Sequence, residues 1–82
     1  MAARDKVLDD VLRGRADANI SFRELRGLLL RLGFDERTSG GHHIFRRDGI
    51  RELINLQKEG SKAKPYQVRQ VRRIILEYRL GG

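Results

Sequence analysis

Residues 38–49 read TSGGHHIFRRDG, a strand-length segment with a tight-turn dipeptide on each side. The dipeptides are Gly40-Gly41 and Asp48-Gly49, and both are typical of the short turns that join antiparallel strands. Further segments of strand length lie beyond each turn. We therefore predict a three-stranded antiparallel meander with strands at 34–39, 42–47 and 51–57.

Two helical patterns precede the meander. Apolar residues at helical spacing end at Gly14 and predict a first helix over about residues 4–13. These residues are Val7, Leu8, Val11 and Leu12. Ser21 and Glu24 form a capping box, which predicts the start of a second helix that ends at Gly33. Its apolar face consists of Phe22, Leu25, Leu28, Leu29 and Leu32.

A third helix is predicted after the meander. Residues 58–64, KEGSKAK, are polar and basic and are predicted to form a loop. Pro65 suits the first position of a helix, because its fixed backbone angle is helical and its missing N–H would have no partner there. The apolar stripe that follows consists of Val68, Val71, Ile74, Ile75 and Tyr78.

This element order predicts an α+β fold in a single domain of 82 residues. The core is an α-β-β-β-α unit with an additional N-terminal helix. Two of the helices should cover one face of the sheet, because a sheet must bury its apolar face against another layer.

Charge indicates an anionic partner. The chain has 18 Lys and Arg against 11 Asp and Glu, a formal net charge of +7, which favours a polyanion such as nucleic acid. The longest apolar run is Leu28-Leu29-Leu30, whereas a membrane span needs about 20 apolar residues. The first ten residues lack the apolar segment of a secretory signal. With no cysteine either, we expect a cytoplasmic protein.

The two histidines of the chain are adjacent, and strand geometry separates them. Neighbouring residues on a strand point to opposite faces, so His42 and His43 cannot bind one metal ion together. If Phe45 faces the helices, His43 shares its face, and His42 lies on the open face with Ile44 and Arg46. A bulge beside the glycines would exchange the two assignments. We expect no metal site and no cofactor.

An imidazole on an open basic face suits RNA cleavage. Histidine can take and give a proton near neutral pH. It can remove the proton of a ribose 2′-hydroxyl, which then attacks the adjacent phosphorus. The same group or a partner can protonate the departing 5′ oxygen, and Arg or Lys side chains can stabilise charge on the phosphate.

The motifs together resemble the HicA toxin family, also called YcfA-like messenger-RNA interferases. The resemblance rests on GGHHIF at 40–45, Asp48-Gly49, INLQ at 54–57 and KPYQVR at 64–69. It covers about residues 20–80, and residues 1–19 resemble an N-terminal extension. It implies a fold like that of double-stranded-RNA-binding domains, cleavage of messenger RNA, and inhibition by a HicB-like antitoxin that covers the active site.

Carried over by residue, the family's catalytic histidine falls on His42, with His43 as the alternative. Gly41 stands where the family usually has serine, which leaves any role of that hydroxyl open. Arg46, on the face of His42, is the first choice for a phosphate contact. Further candidates for RNA contacts are Gly41, Arg47, Lys58, Lys62, Lys64 and Tyr66, the last of which can stack on a base or cap the helix.

Two other functions fit the same pattern. The first is a non-catalytic RNA-binding module, since this kind of fold and charge can bind duplex RNA by its shape. The second is a protein-interaction domain whose basic face meets an acidic partner.

Overall fold

The computed structural model describes residues 5–81 and confirms a small α+β domain. Three α-helices and two antiparallel sheets follow the order α-α-β-β-β-β-β-α, with a short 3-10 segment at Asp17–Asn19 between the first two helices. The helices are α1 (Lys6–Arg13), α2 (Phe22–Arg31) and α3 (Pro65–Tyr78). The strands are β1 (Asp35–Ser39), β2 (His42–Arg46), β3 (Ile54–Leu56), β4 (Lys58–Glu59) and β5 (Lys62–Ala63).

The helix boundaries follow from local capping. The Asp5 carboxylate accepts hydrogen bonds from Val7 N and Leu8 N and starts α1, and Gly14 ends it at a φ of 70°. Position 4, where the predicted first helix began, lies outside the described residues. The Ser21 hydroxyl accepts from Glu24 N at 3.3 Å, which is one half of the predicted capping box.

The meander has the predicted order β1-β2-β3, and both pairs are antiparallel. Ser39 pairs with His42 across the glycine turn. The third strand is shorter than predicted, because Phe45 pairs with Ile54 and residues 47–53 become a connection. The predicted turn at Asp48-Gly49 lies inside that connection, with Gly49 at a φ of 88°.

One face of the sheet forms the floor of the core. Phe45, Ile54 and Leu56 are fully buried, and alternation places them on the same face. The helices pack their apolar stripes on this face, as predicted. The buried helical residues are Val11, Phe22, Leu25, Leu28, Leu29, Val68, Val71, Ile74 and Ile75. The opposite face of the sheet has no layer packed on it within the described residues.

The prediction of a loop at 58–64 is wrong. These residues form the β4–β5 hairpin, which turns at Gly60 with a φ of 64°. Ala63 is buried at its end, and its N–H donates to Ile20 O, while Phe22 N donates to Ser61 O. Polar composition concealed the hairpin, because its strands are two residues long and its one buried side chain is small.

The N-terminal segment packs on the core. Val11 is fully buried, and Val7, Leu8 and Leu12 lie against the core cluster. Arg72 on α3 donates to Val11 O at 3.1 Å. The same guanidinium pairs with Asp17 at 2.9 Å, so the 3-10 segment is also attached to α3. No helix within residues 5–81 is long and apolar enough to cross a membrane.

We expect Phe45→Ala to cost about 3–5 kcal/mol in the free energy of unfolding, because it leaves a cavity at the centre of the sheet. Such a loss is comparable with the whole stability of a small domain, so the variant should be largely unfolded at room temperature. Leu76→Ala is the control, since Leu76 is 62% exposed and its loss should change stability by about 0.5 kcal/mol or less. Urea denaturation monitored by circular dichroism measures both.

Candidate functional site

His42 begins β2 directly after the glycine turn, and its side chain lies on the open face of the sheet. The residue is exposed, whereas Phe45 is buried on the other face. The predicted division between the two histidines is therefore confirmed, and no bulge alters it, since the β1–β2 register is continuous from Asp35 to Ser39.

Two amide side chains hold the His42 ring. Its Nδ1 lies 3.3 Å from Asn55 Oδ1, and its Nε2 lies 3.3 Å from Gln57 Nε2. An amide oxygen can only accept and an amide nitrogen can only donate. Both contacts are consequently satisfied by one neutral tautomer, in which Nδ1 carries the proton and Nε2 carries the lone pair.

A lysine completes this hydrogen-bonded chain. Lys64, the residue before α3, donates from Nζ to Gln57 Oε1 at 3.2 Å. Gln57 thus presents its amide oxygen to a cation and its amide nitrogen to His42. The structure brings together His42 and Lys64, two of the residues predicted to act on RNA, through one intervening side chain.

Gln67 anchors the chain to the core. It is the one polar residue among the buried side chains of residues 5–81, with 2% exposure. Its Oε1 accepts from Gln57 N at 3.0 Å and so joins α3 to the end of β3. Its Nε2 donates to the Tyr66 hydroxyl at 3.5 Å. Gln67 therefore fixes the backbone from which the Gln57 side chain reaches His42.

His43 has different surroundings on the helix side of the sheet. Its Nδ1 lies 2.7 Å from Glu36 Oε2, and its ring meets the edge of Phe22 with centroids 4.8 Å apart. The Glu36 carboxylate also receives Arg26, whose Nε lies 2.9 Å from both oxygens. The Arg26 hydrogen bond lowers the pKa of Glu36 from 4.5 most strongly, and His43 lowers it further.

Gly41 lies in the turn before His42 and is exposed. Its φ is outside the left-handed region, unlike that of Gly40 at 59°. A Cβ added at Gly41 would meet no atom within 4 Å. A serine at this position, as in the HicA family, would therefore fit without strain.

The predicted arginine contacts lie away from His42. Arg46 shares the open face but stands four residues along β2, about 13 Å away at the rise of a strand. It lies beside Asp48 at 3.7 Å. Arg47 is half-buried near Gly33, where its Nε would lie 3.6 Å from an added Cβ. Neither arginine belongs to the group around His42.

The remaining predicted contacts surround the β4–β5 hairpin. Lys58 and Lys62 are exposed on its two strands, and Lys58 Nζ lies 5.4 Å from the centre of the Phe22 ring. Tyr66 is 55% exposed at the start of α3, where its hydroxyl accepts from Gln67. The tyrosine ring is accessible for stacking.

The sequence-based prediction omitted four residues that hold the histidines. Strand alternation was the signal available for three of them. It places Asn55 and Gln57 on the open face, and it places Glu36 on the helix side, opposite Phe45. Gln67 falls on the apolar stripe of α3, seven residues before Ile74. A polar residue on an apolar stripe was the signal available for it.

Comparison with known proteins adds nothing to this geometry: no family model, no curated protein and no solved structure matches the chain.

We expect Glu36 to make the stability of the protein depend on acidic pH. A carboxyl whose pKa is lowered by folding stabilises the folded state above its ordinary pKa of 4.5 and loses that contribution as the pH falls through the lowered value. Glu36→Gln should be less stable than wild type at pH 7, and the difference should shrink below about pH 4. Urea denaturation of both proteins from pH 7 to pH 3 measures this. Parallel pH profiles would show that Glu36 contributes nothing as an anion.

Proposed function

We propose that this protein is a metal-independent endoribonuclease in which His42 is the general base. The observation that carries the proposal is the pair of amide contacts on the imidazole. Asn55 accepts from Nδ1, so that the lone pair is on Nε2 of an exposed ring. A general base needs an unprotonated nitrogen, and a tautomer fixed by Asn55 keeps Nε2 in that form.

The reaction uses the ribose itself as the nucleophile. Nε2 of His42 takes the proton of the 2′-hydroxyl, and the 2′ oxygen forms a bond to the adjacent phosphorus. The bond from phosphorus to the 5′ oxygen breaks, and the imidazolium returns its proton to that oxygen. The products are a 2′,3′-cyclic phosphate and a 5′-hydroxyl end. No atom or electron is needed from outside the RNA and the imidazole.

Lys64 supplies positive charge beside the base. Its ammonium and the Nε2 atom of His42 contact opposite ends of the same Gln57 amide. A phosphate that displaces the Gln57 amide from His42 would lie next to the ammonium group. Charge that develops on the phosphate oxygens would then be stabilised at a preorganised position.

The open face of the sheet suits an extended nucleic acid. A depression of about 310 Å³ lies between Arg37, Ile44, Arg46 and Leu53. Leu53 is 58% exposed, so an apolar floor is available to a base, with guanidinium groups at its edges for phosphates. The net charge of +7 favours binding of RNA without regard to sequence.

The proposed biological role is that of a toxin that cleaves messenger RNA in the cytoplasm. The order after residue 20 is α-β-β-β-α with the β4–β5 hairpin inserted before the last helix, and the three-stranded part supports the proposed likeness to double-stranded-RNA-binding domains and the resemblance to HicA toxins. An antitoxin of the HicB type would inhibit it by covering His42. Such a partner should present acidic residues to the basic face.

A non-catalytic RNA-binding module is the second candidate. The observation that favours it is the Gln57 amide, whose nitrogen occupies the lone pair of His42 at 3.3 Å. If substrate cannot displace this amide, the ring acts only as a polar contact on an RNA-binding face.

We expect wild-type protein to cut single-stranded RNA in the presence of a metal chelator and His42→Ala to cut it about 100- to 10,000-fold more slowly, the usual contribution of a general base. Separation of labelled RNA on gels gives the rates, and analysis of the product ends should find cyclic phosphate and 5′-hydroxyl groups. His43→Gln is the matched control: at saturating RNA, where a weaker affinity does not limit the rate, it should retain most of the wild-type kcat, provided that circular dichroism finds it folded.

Cutting by His42→Ala at the wild-type rate would overturn the role of His42. RNA that is bound but left intact by wild type would instead establish the non-catalytic module.

Asn55 should act as a positioning residue for His42. Asn55→Leu removes the acceptor of the Nδ1 proton, so kcat should fall while KM changes little. Asn55→Asp retains an acceptor and adds a negative charge that favours the protonated ring, so activity should persist with its acidic limb moved to higher pH. The pH dependence of kcat for the three proteins tests this. An unchanged profile for Asn55→Asp would contradict the contact.

A further inference from the structure

A second basic site lies on the other side of the sheet from His42. It is a cavity of about 620 Å³ between the start of α2, the β4–β5 hairpin and His43. Its principal lining residues are Phe22, Arg23, Arg26, His43, Lys58 and Ser61. None of the residues that line it is acidic. Two other basic depressions differ in this respect, since Asp9 and Asp10 line one and Asp48 lines the other.

The charges in the cavity do not cancel. Arg26 is neutralised by Glu36, which lies behind it at 2.8 Å. Within residues 5–81, Arg23 makes no ion pair, and Lys58 has only the Phe22 ring as its partner. Two cationic groups with hydrogen-bond donors therefore face the same space without a carboxylate.

The walls of the cavity are fixed before any ligand arrives. Phe22 N donates to Ser61 O at 3.0 Å, so the hairpin that carries Lys58 is attached to the start of α2. Ser21 and Lys62 form a further antiparallel bridge between the same elements. His43 is held by Glu36 and by the edge of the Phe22 ring. Because the backbone that carries Arg23 and Lys58 is fixed, binding of an anion needs to order only their side chains.

From these observations we infer that the cavity binds a phosphodiester group of the RNA backbone. The inference rests on the proposed function for the identity of the polynucleotide. Arg and Lys donors that converge without a carboxylate are typical of phosphate recognition. The cavity lies at the same end of the sheet as His42, because His43 is the next residue of β2. RNA that passes around the glycine turn can therefore contact both sites.

The test compares two double variants that remove equal charge. Arg23→Gln/Lys58→Gln changes the cavity, and Arg15→Gln/Arg51→Gln changes two exposed arginines elsewhere. The probe is a fluorescent single-stranded RNA of about ten nucleotides in which every 2′-hydroxyl is methylated. This probe cannot be cleaved, so binding is measured independently of the His42 chemistry.

We expect the cavity variant to bind the probe at least tenfold more weakly than wild type, and the control variant to bind within about threefold of it. The slope of log affinity against log salt should fall by about 0.7 for each lost phosphate contact in the cavity variant only. As a second readout, inorganic phosphate should shift the His43 ring resonances in NMR spectra of wild type and not those of the cavity variant.

Equal binding by the two double variants would overturn the inference, as would failure of wild type to bind the probe. Tighter binding of an acidic peptide of the same charge than of the RNA would also overturn it and would make the cavity a protein-docking site. Loss of binding in the cavity variant, together with no cleavage of ordinary RNA by wild type, would support the cavity and reject the proposed ribonuclease.

Discussion

Burial of Phe45 at the centre of the sheet is the constraint on which the rest of the molecule depends. Its side chain is fully excluded from water, and it pairs with Ile54, which is also buried. Because the side chains of a strand alternate strictly, this burial fixes the direction of every residue in β2. His43 must face the helices, and His42 must face outward. A slip of one residue would exchange the histidines and expose Phe45 to water.

The outward position of His42 does not by itself orient its ring, and the orientation comes from a second element. Gln67 lies in the buried stripe of α3 and holds the backbone N–H of Gln57, whose side chain reaches the imidazole. A polar group in the core is stable only when its hydrogen bonds are made. The packing of α3 on the sheet thus determines the geometry on the exposed face. Helix and site are connected through the hydrogen bond from the Gln57 main chain to the Gln67 side chain.

The sequence predicted the elements that depend on local signals. Ser21 was predicted as a cap and Asp5 was not, yet the bounds of both helices were predicted to within two residues, because the apolar spacing and the glycines at the helix ends agree with the structure. The β4–β5 hairpin was missed, since Ala63 is its only buried side chain and its attachment to Ile20 and Phe22 is a tertiary contact. Backbone hydrogen bonds between distant segments do not require particular residue types, so the sequence carries no signal for them.

The candidate site shows the same difference between local signals and tertiary contacts. Its histidine could be predicted, because a glycine turn and strand alternation are properties of neighbouring residues. The groups that orient it could not be assigned as a set, since they come from β3, from the residues on either side of the β4–β5 hairpin, and from α3. Strand alternation also does not measure distance. It places Arg46 on the same face as His42, but the two residues are about 13 Å apart.

The different acceptors at the two histidines explain why adjacent imidazoles need not have the same role. Each ring offers Nδ1 to a side-chain oxygen, which is an amide at His42 and a carboxylate at His43. The amide acceptor is neutral, so the exposed ring of His42 is held without an ion pair. The carboxylate at His43 is already paired with Arg26, and Phe22 closes one side of the ring. His43 therefore joins β2 to α2 and forms a wall of the basic cavity, while His42 remains the imidazole exposed on the open face of the sheet.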